Sequence, residues 1–172
     1  MAKLDIVNVP DPLLKKMSDP MERVDDEVRR LMDDMLETMY AAPGIGLAAI
    51  QVAVPKRVIV LDTEGDADNP QPTFLVNPEV TWESPEFNLY NEGCLSVPEH
   101  YAEVERPAEV KVKYLDYDGN EQEELMTGLM ATCVQHEIDH LNGVVFIDYL
   151  SKLKRNMIIK KVRKATKDAT IL

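Results

Sequence analysis

Cysteine occurs only twice in the chain, as Cys94 and Cys133, which is too few for a disulfide framework and leaves free thiols or metal ligands as the readings. No run of apolar residues approaches the roughly 20 needed to cross a bilayer as a helix, so no membrane association is expected. The first residues, Met1-Ala2-Lys3-Leu4-Asp5, lack an apolar run behind basic residues, and a cytoplasmic protein is expected. Basic residues are the scarcer charge, 19 against 31 acidic, for a net of -12. A body of that sign repels nucleic acid, and no DNA partner is expected. Internal repeats and low-complexity segments are also missing. What remains is ordinary globular composition, 45% hydrophobic and 29% charged over 172 residues. That length holds one core and is short for two, so a single domain over residues 1–172 is expected, with a monomer as the default.

Val24, Val28, Leu31, Met32, Met35, Leu36 and Met39 recur at helical spacing behind Asp25, which predicts a helix over about residues 26–41 with Asp25 as N-cap. Pro43 and Gly44 stop it. Extended segments follow at 57–62, 73–82, 101–106, 109–117 and 121–126, with Asp118-Gly119 marking a hairpin between the last two. The polar stretch from Glu64 to Pro72 reads as an exposed loop. A second helix is predicted from Gly128, capped by Thr127 and ending at Gly143. A third begins near residue 150 and carries Leu150, Leu153, Met157, Ile158, Val162 and Ala165 on an apolar side. Helices flanking antiparallel strands without βα alternation define an α+β domain, with an N-terminal helix, a central helix and a C-terminal helix. From Ser151 onward eight basic residues face one acidic residue, Asp168, a net of +7 that leaves -19 for the rest of the chain. This basic tail is either a solvated helix face or a phosphate-binding handle.

His136-Glu137-Ile138-Asp139-His140 places two imidazoles four residues apart, on one face of the central helix, where both reach one metal ion. Glu137 is then adjacent to the ion without having to bind it, which suits a base acting on water. A catalytic ion of this kind has three protein ligands and an open position. Downstream of His140 there is no histidine, glutamate or cysteine, only Asp148 and Asp168, so a zinc protease with a later third ligand fits poorly. Upstream stand Cys94, Cys133 and His100. Cys133 lies seven residues from His140 on the same helix, about 10 Å along its axis, and reads better as a buried apolar-wall residue. His100 reads as a surface residue. Cys94, presented between Gly93 and Pro98, is the preferred soft ligand, with the other two still open.

Gly44-Ile45-Gly46-Leu47-Ala48-Ala49 matches the dinucleotide pattern G-x-G-x-x-A, but that pattern needs a strand before it and a helix after it. Here a helix precedes and a strand follows. The glycines instead allow close approach of a backbone to a ligand. Gln51 adds an uncharged amide donor of the kind a developing oxyanion needs.

Three blocks therefore stand in order: Gly44 to Gln51, Glu92-Gly93-Cys94-Leu95-Ser96, and Gln135 to His140. Together they resemble the peptide deformylases, over about residues 4–165. The resemblance implies that Cys94, His136 and His140 bind the metal, that Glu137 is general base and acid, and that Gln51 and the Leu95 backbone N–H form the oxyanion site. It implies one ferrous ion per chain, with zinc, nickel or cobalt able to substitute, and N-formylmethionyl nascent peptides as substrates. Gly44, Ile45 and Gly46 would pair with an extended substrate. Ile45, Tyr90, Leu129, Thr132 and Cys133 would surround the methionine side chain, with Glu92 and Gly93 at the pocket's edge. Many members carry arginine where this chain has Tyr101, at a position associated with contacts beyond the formylmethionine. The basic C-terminal helix implies a ribosome contact. A zinc endopeptidase and a catalytically silent metal module are the alternatives.

Overall fold

A computed structural model describes residues 2–171, with side chains described for residues 2–165; Lys167 and Asp168 of the basic tail lie outside the described side chains. Helix α1 spans Asp26–Ala41. Asp25 caps it, its carboxylate accepting the Val28 N–H at 3.0 Å, a contact whose loss costs about 1 kcal/mol. Val28, Met32, Met35 and Met39 form its buried stripe.

Five strands make one antiparallel sheet in the order β1-β2-β3-β6-β7. They are β1 Gly46–Ala48, β2 Val58–Leu61, β3 Thr73–Glu83, β6 Glu109–Leu115 and β7 Glu121–Thr127. β2 is apolar throughout because both its faces are covered. Val58 and Val60 pack toward α1 with Met32 and Met35. Ile59 and Leu61 pack on the opposite side with Leu75, Val112 and Val134. Val134 belongs to α2, Gly128–Leu141, whose buried length includes Ala131, His136, Glu137 and His140. Thr127 stands at the N-cap as predicted, but its side chain makes no capping bond. The sheet is thus held between α1 and α2. β6 ends two residues earlier than predicted, because Asp116 accepts the N–H groups of Asp118 and Asn120 and closes the turn itself.

A separate two-stranded hairpin, β4 Phe87–Cys94 with β5 Val97–Pro107, turns at Leu95-Ser96. The sequence reading placed only 101–106 in a strand and gave Cys94 to a loop. Polarity misled it: β4 turns Phe87 and Leu89 outward, 55% and 60% exposed, so its apolar alternation does not mark the buried face. Helix α3, Lys152–Ile171, joins a third cluster through Ile158, Ile159 and Val162, against Val97, Val104 and Phe146. Leu153 and Met157, one row over at i and i+4, stay exposed, so its covered stripe is narrower than the sequence pattern implied. Among the described residues no helix is long and apolar enough to cross a membrane.

Candidate metal centre

Three segments converge on the middle of α2. Cys94 ends β4 at a register shift between Gly93 and Cys94, which turns its thiol toward the helix. His136 and His140 face it from successive turns. The three candidate ligand atoms lie within 4.8 Å of one another, and Cys94 Sγ is 3.3 Å from His140 Nε2. A thiol with two imidazoles fits a borderline divalent ion such as zinc or ferrous iron. His140 is fully buried and its cation is strongly disfavoured, first by burial and then by His136, so it presents the neutral ring a metal requires. Burial opposes the His136 cation as well, yet contacts with Cys94 and Glu92 and the nearby Glu137 carry its pKa well above the ordinary value.

Glu92 accepts from His136 Nδ1 at 2.9 Å, which leaves Nε2 of that ring for the ion. Arg106 grips the same carboxylate with Nε at 2.6 Å and Nη2 at 2.9 Å. Burial alone would raise the Glu92 pKa, but His136 and Arg106 hold it below the usual value. Sequence reasoning missed Arg106. The signal existed: Ala102, Val104 and Arg106 share one face of β5, opposite Glu103 and Glu105, so the strand's own alternation turns the guanidinium inward.

Glu137 is 4% exposed; its Oε1 has no hydrogen-bond partner, and burial raises its pKa to about 7. A carboxylate held there exchanges a proton near neutrality, the property of a general base, and a cation beside it shifts it toward the ionised form. Gly46 explains how β1 passes so close. A Cβ on Gly46 would lie 2.6 Å from Glu137 Oε2 and 2.8 Å from Cys133 Sγ. Absence of a side chain, not unusual backbone torsion, is what this position supplies.

Gln51 is 1% exposed and sits in a short 3-10 turn after β1. Its Oε1 accepts the Ala48 N–H at 3.0 Å. This fixes the amide so that Nε2 points to Ser96 Oγ at 3.0 Å and toward Cys94 Sγ at 3.5 Å. The N-terminal segment ties the same parts together, Val7 N–H donating to Gln51 O and Val9 N–H to Ser96 O. Leu95 packs against Gly44, whose Cβ would meet Leu95 Cδ1 at 2.8 Å.

A cavity of about 880 Å³ opens onto this centre. All nine residues expected at the substrate pocket border it: Gly44, Ile45, Gly46, Tyr90, Glu92, Gly93, Leu129, Thr132 and Cys133. So do Gln51, Cys94, Leu95, His136 and Glu137; His140 lies beneath, fully buried. Glu92 borders the cavity while its two oxygens are engaged by His136 and Arg106. Cys133 stands off the ligand trio, its buried thiol 3.8 Å from Ile45 O, and burial raises its pKa. His100 and Tyr101 line the mouth. The Tyr101 ring lies over Gly93, where any Cβ would collide with it.

The family described as polypeptide deformylase matches residues 3–156. A relative from Phenylobacterium zucineum, named peptide deformylase, is 62% identical over 169 residues, covering 98% of this chain and all of its own. Another of that name from Pelagibacter ubique is 56% identical over 172 residues, with both chains fully covered. The crystal structure of peptide deformylase from Ehrlichia chaffeensis superposes with a TM-score of 0.94 at 43% identity, covering 98% of this chain and 99% of that one. A second structure from that organism, in complex with actinonin, gives 0.90 at 47% identity, covering 96% and 98%.

Proposed function

The chain belongs to the polypeptide deformylase family, and on that premise we propose how its residues divide the family's reaction. It is a metal-dependent hydrolase that removes the N-terminal formyl group from the formylmethionine of newly synthesised polypeptides and releases formate. The observation that carries this reading is the meeting of Cys94, His136 and His140 beside a buried Glu137 with a free oxygen. An endopeptidase of the same pentapeptide motif with a downstream third ligand fits poorly, because the chain after His140 has no histidine, glutamate or cysteine, only Asp148 and Asp168.

Cys94, His136 and His140 would hold a divalent ion, which when bound would supply the Lewis acid that makes water nucleophilic near neutral pH. Glu137 accepts the proton of the attacking water and returns it to the leaving amine. Gln51 Nε2 and the Leu95 backbone N–H donate to the oxygen that gains charge as the formyl carbon becomes tetrahedral. Gln51 is suited to this because its other end is pinned to Ala48, so little reorganisation accompanies the reaction. Gly44, Ile45 and Gly46 pair with the extended substrate backbone. Tyr90, Leu129, Thr132 and Cys133 receive the methionine side chain, and Glu92 and Gly93 form the edge. The ion is ferrous iron, replaceable by zinc, nickel or cobalt; intrinsic affinity favours zinc over iron, so the assignment leans on the family and not on the donor set.

The chain acts as one domain and as a monomer in the cytoplasm, on nascent chains, and its basic C-terminal helix contacts the ribosome. Lys154, Lys160, Lys161, Arg163 and Lys164 are all exposed, which leaves them free for phosphate. Because Ile158 and Val162 pack into the body, truncation after residue 150 would also uncover core. Reversing those five charges is the cleaner test: ribosome binding should weaken and lose its salt dependence, and unchanged binding would refute the contact.

The reaction itself is tested by formate release from formyl-Met-Ala-Ser beside an acetylated control, with metal content measured under anaerobic handling. Well-metallated protein that releases no formate would overturn the assignment. Glu137→Ala should keep its metal and lose about 10²- to 10⁴-fold in turnover.

A further inference from the structure

A line of contacts leads from His136 and Glu92, at the cavity wall, to the protein surface at Tyr149. His136 Nδ1 is held by Glu92, and Glu92 by Arg106. The remaining guanidinium nitrogen, Arg106 Nη1, donates to Asp139 Oδ2 at 2.8 Å. That same oxygen accepts the Tyr149 hydroxyl at 2.7 Å. The Tyr149 ring also lies 5.2 Å from the Arg106 guanidinium carbon. Resting on the metal-centre reading above, we propose that Tyr149 is a positioning residue for that centre, acting through Asp139, Arg106 and Glu92 on the His136 ring.

The reasoning begins at the buried end. Glu92 and Arg106 have side chains 4% and 6% exposed, so neither finds water if its partner moves. Glu92 fixes the His136 ring only while its own plane is fixed, and the two-pronged grip of Arg106 does that. Arg106, however, serves two carboxylates with one positive charge. Asp139 competes with Glu92 for it, and at 22% side-chain exposure Asp139 also meets solvent.

Tyr149 relieves that competition. It ends a short 3-10 turn, Phe146–Tyr149, and gives Asp139 a second, fixed donor. Its ring meanwhile covers the outer side of the guanidinium. Without the hydroxyl, Arg106 is the one side-chain donor left to Asp139 among the described residues. The guanidinium then shifts toward Asp139, its grip on Glu92 slackens, and the His136 ring gains freedom to turn away from the ion.

The test uses Tyr149→Phe, which removes one oxygen from a half-exposed ring, together with Asp139→Asn and the double variant, all loaded with cobalt. Two quantities are read: the rate at which a chelator strips the metal, and the visible spectrum of the cobalt–thiolate centre. Partners in direct contact with a ligating histidine change metal affinity by about 10- to 100-fold. Three links beyond Glu92, the direct partner of His136, Tyr149→Phe should speed release by about 3- to 10-fold, the lower end of that range attenuated, and should alter the spectrum. Because Tyr149 acts through Asp139, the double variant should be no worse than Asp139→Asn alone. Wild-type release rate and spectrum in Tyr149→Phe would overturn the proposal. So would effects that multiply in the double variant, since those would mark a route from the hydroxyl that does not pass through Asp139. Failure of the wild-type protein to bind cobalt stoichiometrically would overturn the metal-centre reading itself, and the proposal with it.

Discussion

Gly46→Ala is the sharpest test of how the site is assembled, because one added carbon meets the proposed base and leaves the ligands alone. The new Cβ would stand 2.6 Å from Glu137 Oε2, 2.8 Å from Cys133 Sγ and 3.2 Å from Glu137 Cδ. Ordinary contact begins near 3.5 Å, so the carboxylate or the strand must yield by roughly 0.9 Å. β1 cannot easily retreat. Gly46, Leu47 and Ala48 are paired with Leu61, Val60 and Ile59, and the Asp62 N–H holds Ile45 O at 2.8 Å. The Glu137 side chain therefore moves. A displacement of about 1 Å in a catalytic group costs on the order of 10²-fold in rate, equivalent to about 2.7 kcal/mol. We expect kcat for formyl-Met-Ala-Ser to fall by about that factor while the protein retains one metal per chain, because the clash does not involve Cys94, His136 or His140. Adding Cys133→Ala removes the sulfur contact but not the carboxylate contact, so rescue should be partial. A kcat within about threefold of wild type at full metal content would mean that Glu137 can occupy another position and still work, and the argument from Gly46 would fail.

Gln51→Ala should lower kcat by about 10²- to 10³-fold, as for loss of one oxyanion donor, with metal content retained; steady-state kinetics beside metal analysis checks it, and an unchanged kcat would remove Gln51 from the oxyanion site. Tyr101 is 65% exposed at the cavity mouth and is not among the candidate ligand atoms, so Tyr101→Arg should change KM for formyl-Met-Ala-Ser and not kcat, whereas a large drop in kcat would place it in the chemistry. Asp62 is 2% exposed; burial opposes its ionisation, but the Tyr40 hydroxyl and the backbone N–H groups of Gln71, Gly65 and Glu64 outweigh it and lower its pKa. A depressed carboxyl stabilises the fold above its unfolded pKa near 3.9 and loses that contribution as pH falls through the folded value. Asp62→Asn should therefore cost about 1–3 kcal/mol at pH 7, with the gap to wild type closing below about pH 4; a gap constant with pH in urea unfolding would contradict this.

The parts of the fold legible in the sequence are those where one periodicity meets one environment. α1 shows its stripe because one face is buried and the other solvated, and Asp25 caps it as its residue type suggests. β2 reads as an apolar run because both faces are covered. β4 was not legible, since its outward positions carry Phe87 and Leu89, and its inward Glu92 serves another buried group. The pentapeptide announced a metal and a base through spacing alone. The candidate third ligand was preferred on residue chemistry as Cys94 but not separated from Cys133 and His100, because Cys94 is 42 residues from His136 in sequence, and the β4–β5 turn is what brings them together. Asp139 carried no signal of its own within the pentapeptide, because its partner Arg106 reaches it across the fold from β5.

The reacting groups come from elements that are fastened to one another independently of any ion. α2 contributes His136, Glu137 and His140. The β4–β5 hairpin contributes Cys94, and it is fastened to α2 by Arg106, which grips Glu92 within the hairpin and Asp139 on the helix. β1 and the turn after it contribute Gly46 and Gln51, fastened to the hairpin by Gln51 with Ser96 and to the N-terminal segment by Val7, while Val9 ties that segment to Ser96 of the hairpin. Ion pairs and hydrogen bonds thus close the site along its floor, where exposure is lowest. The mouth is different: Ile45, Tyr101 and Leu129 are 44%, 65% and 43% exposed, and no polar tie holds their side chains among the described residues. A substitution in the floor must propagate through ligand geometry, whereas one at the mouth changes only what a passing peptide touches. This separation makes the kcat-against-KM split the diagnostic for placing any residue in one layer or the other.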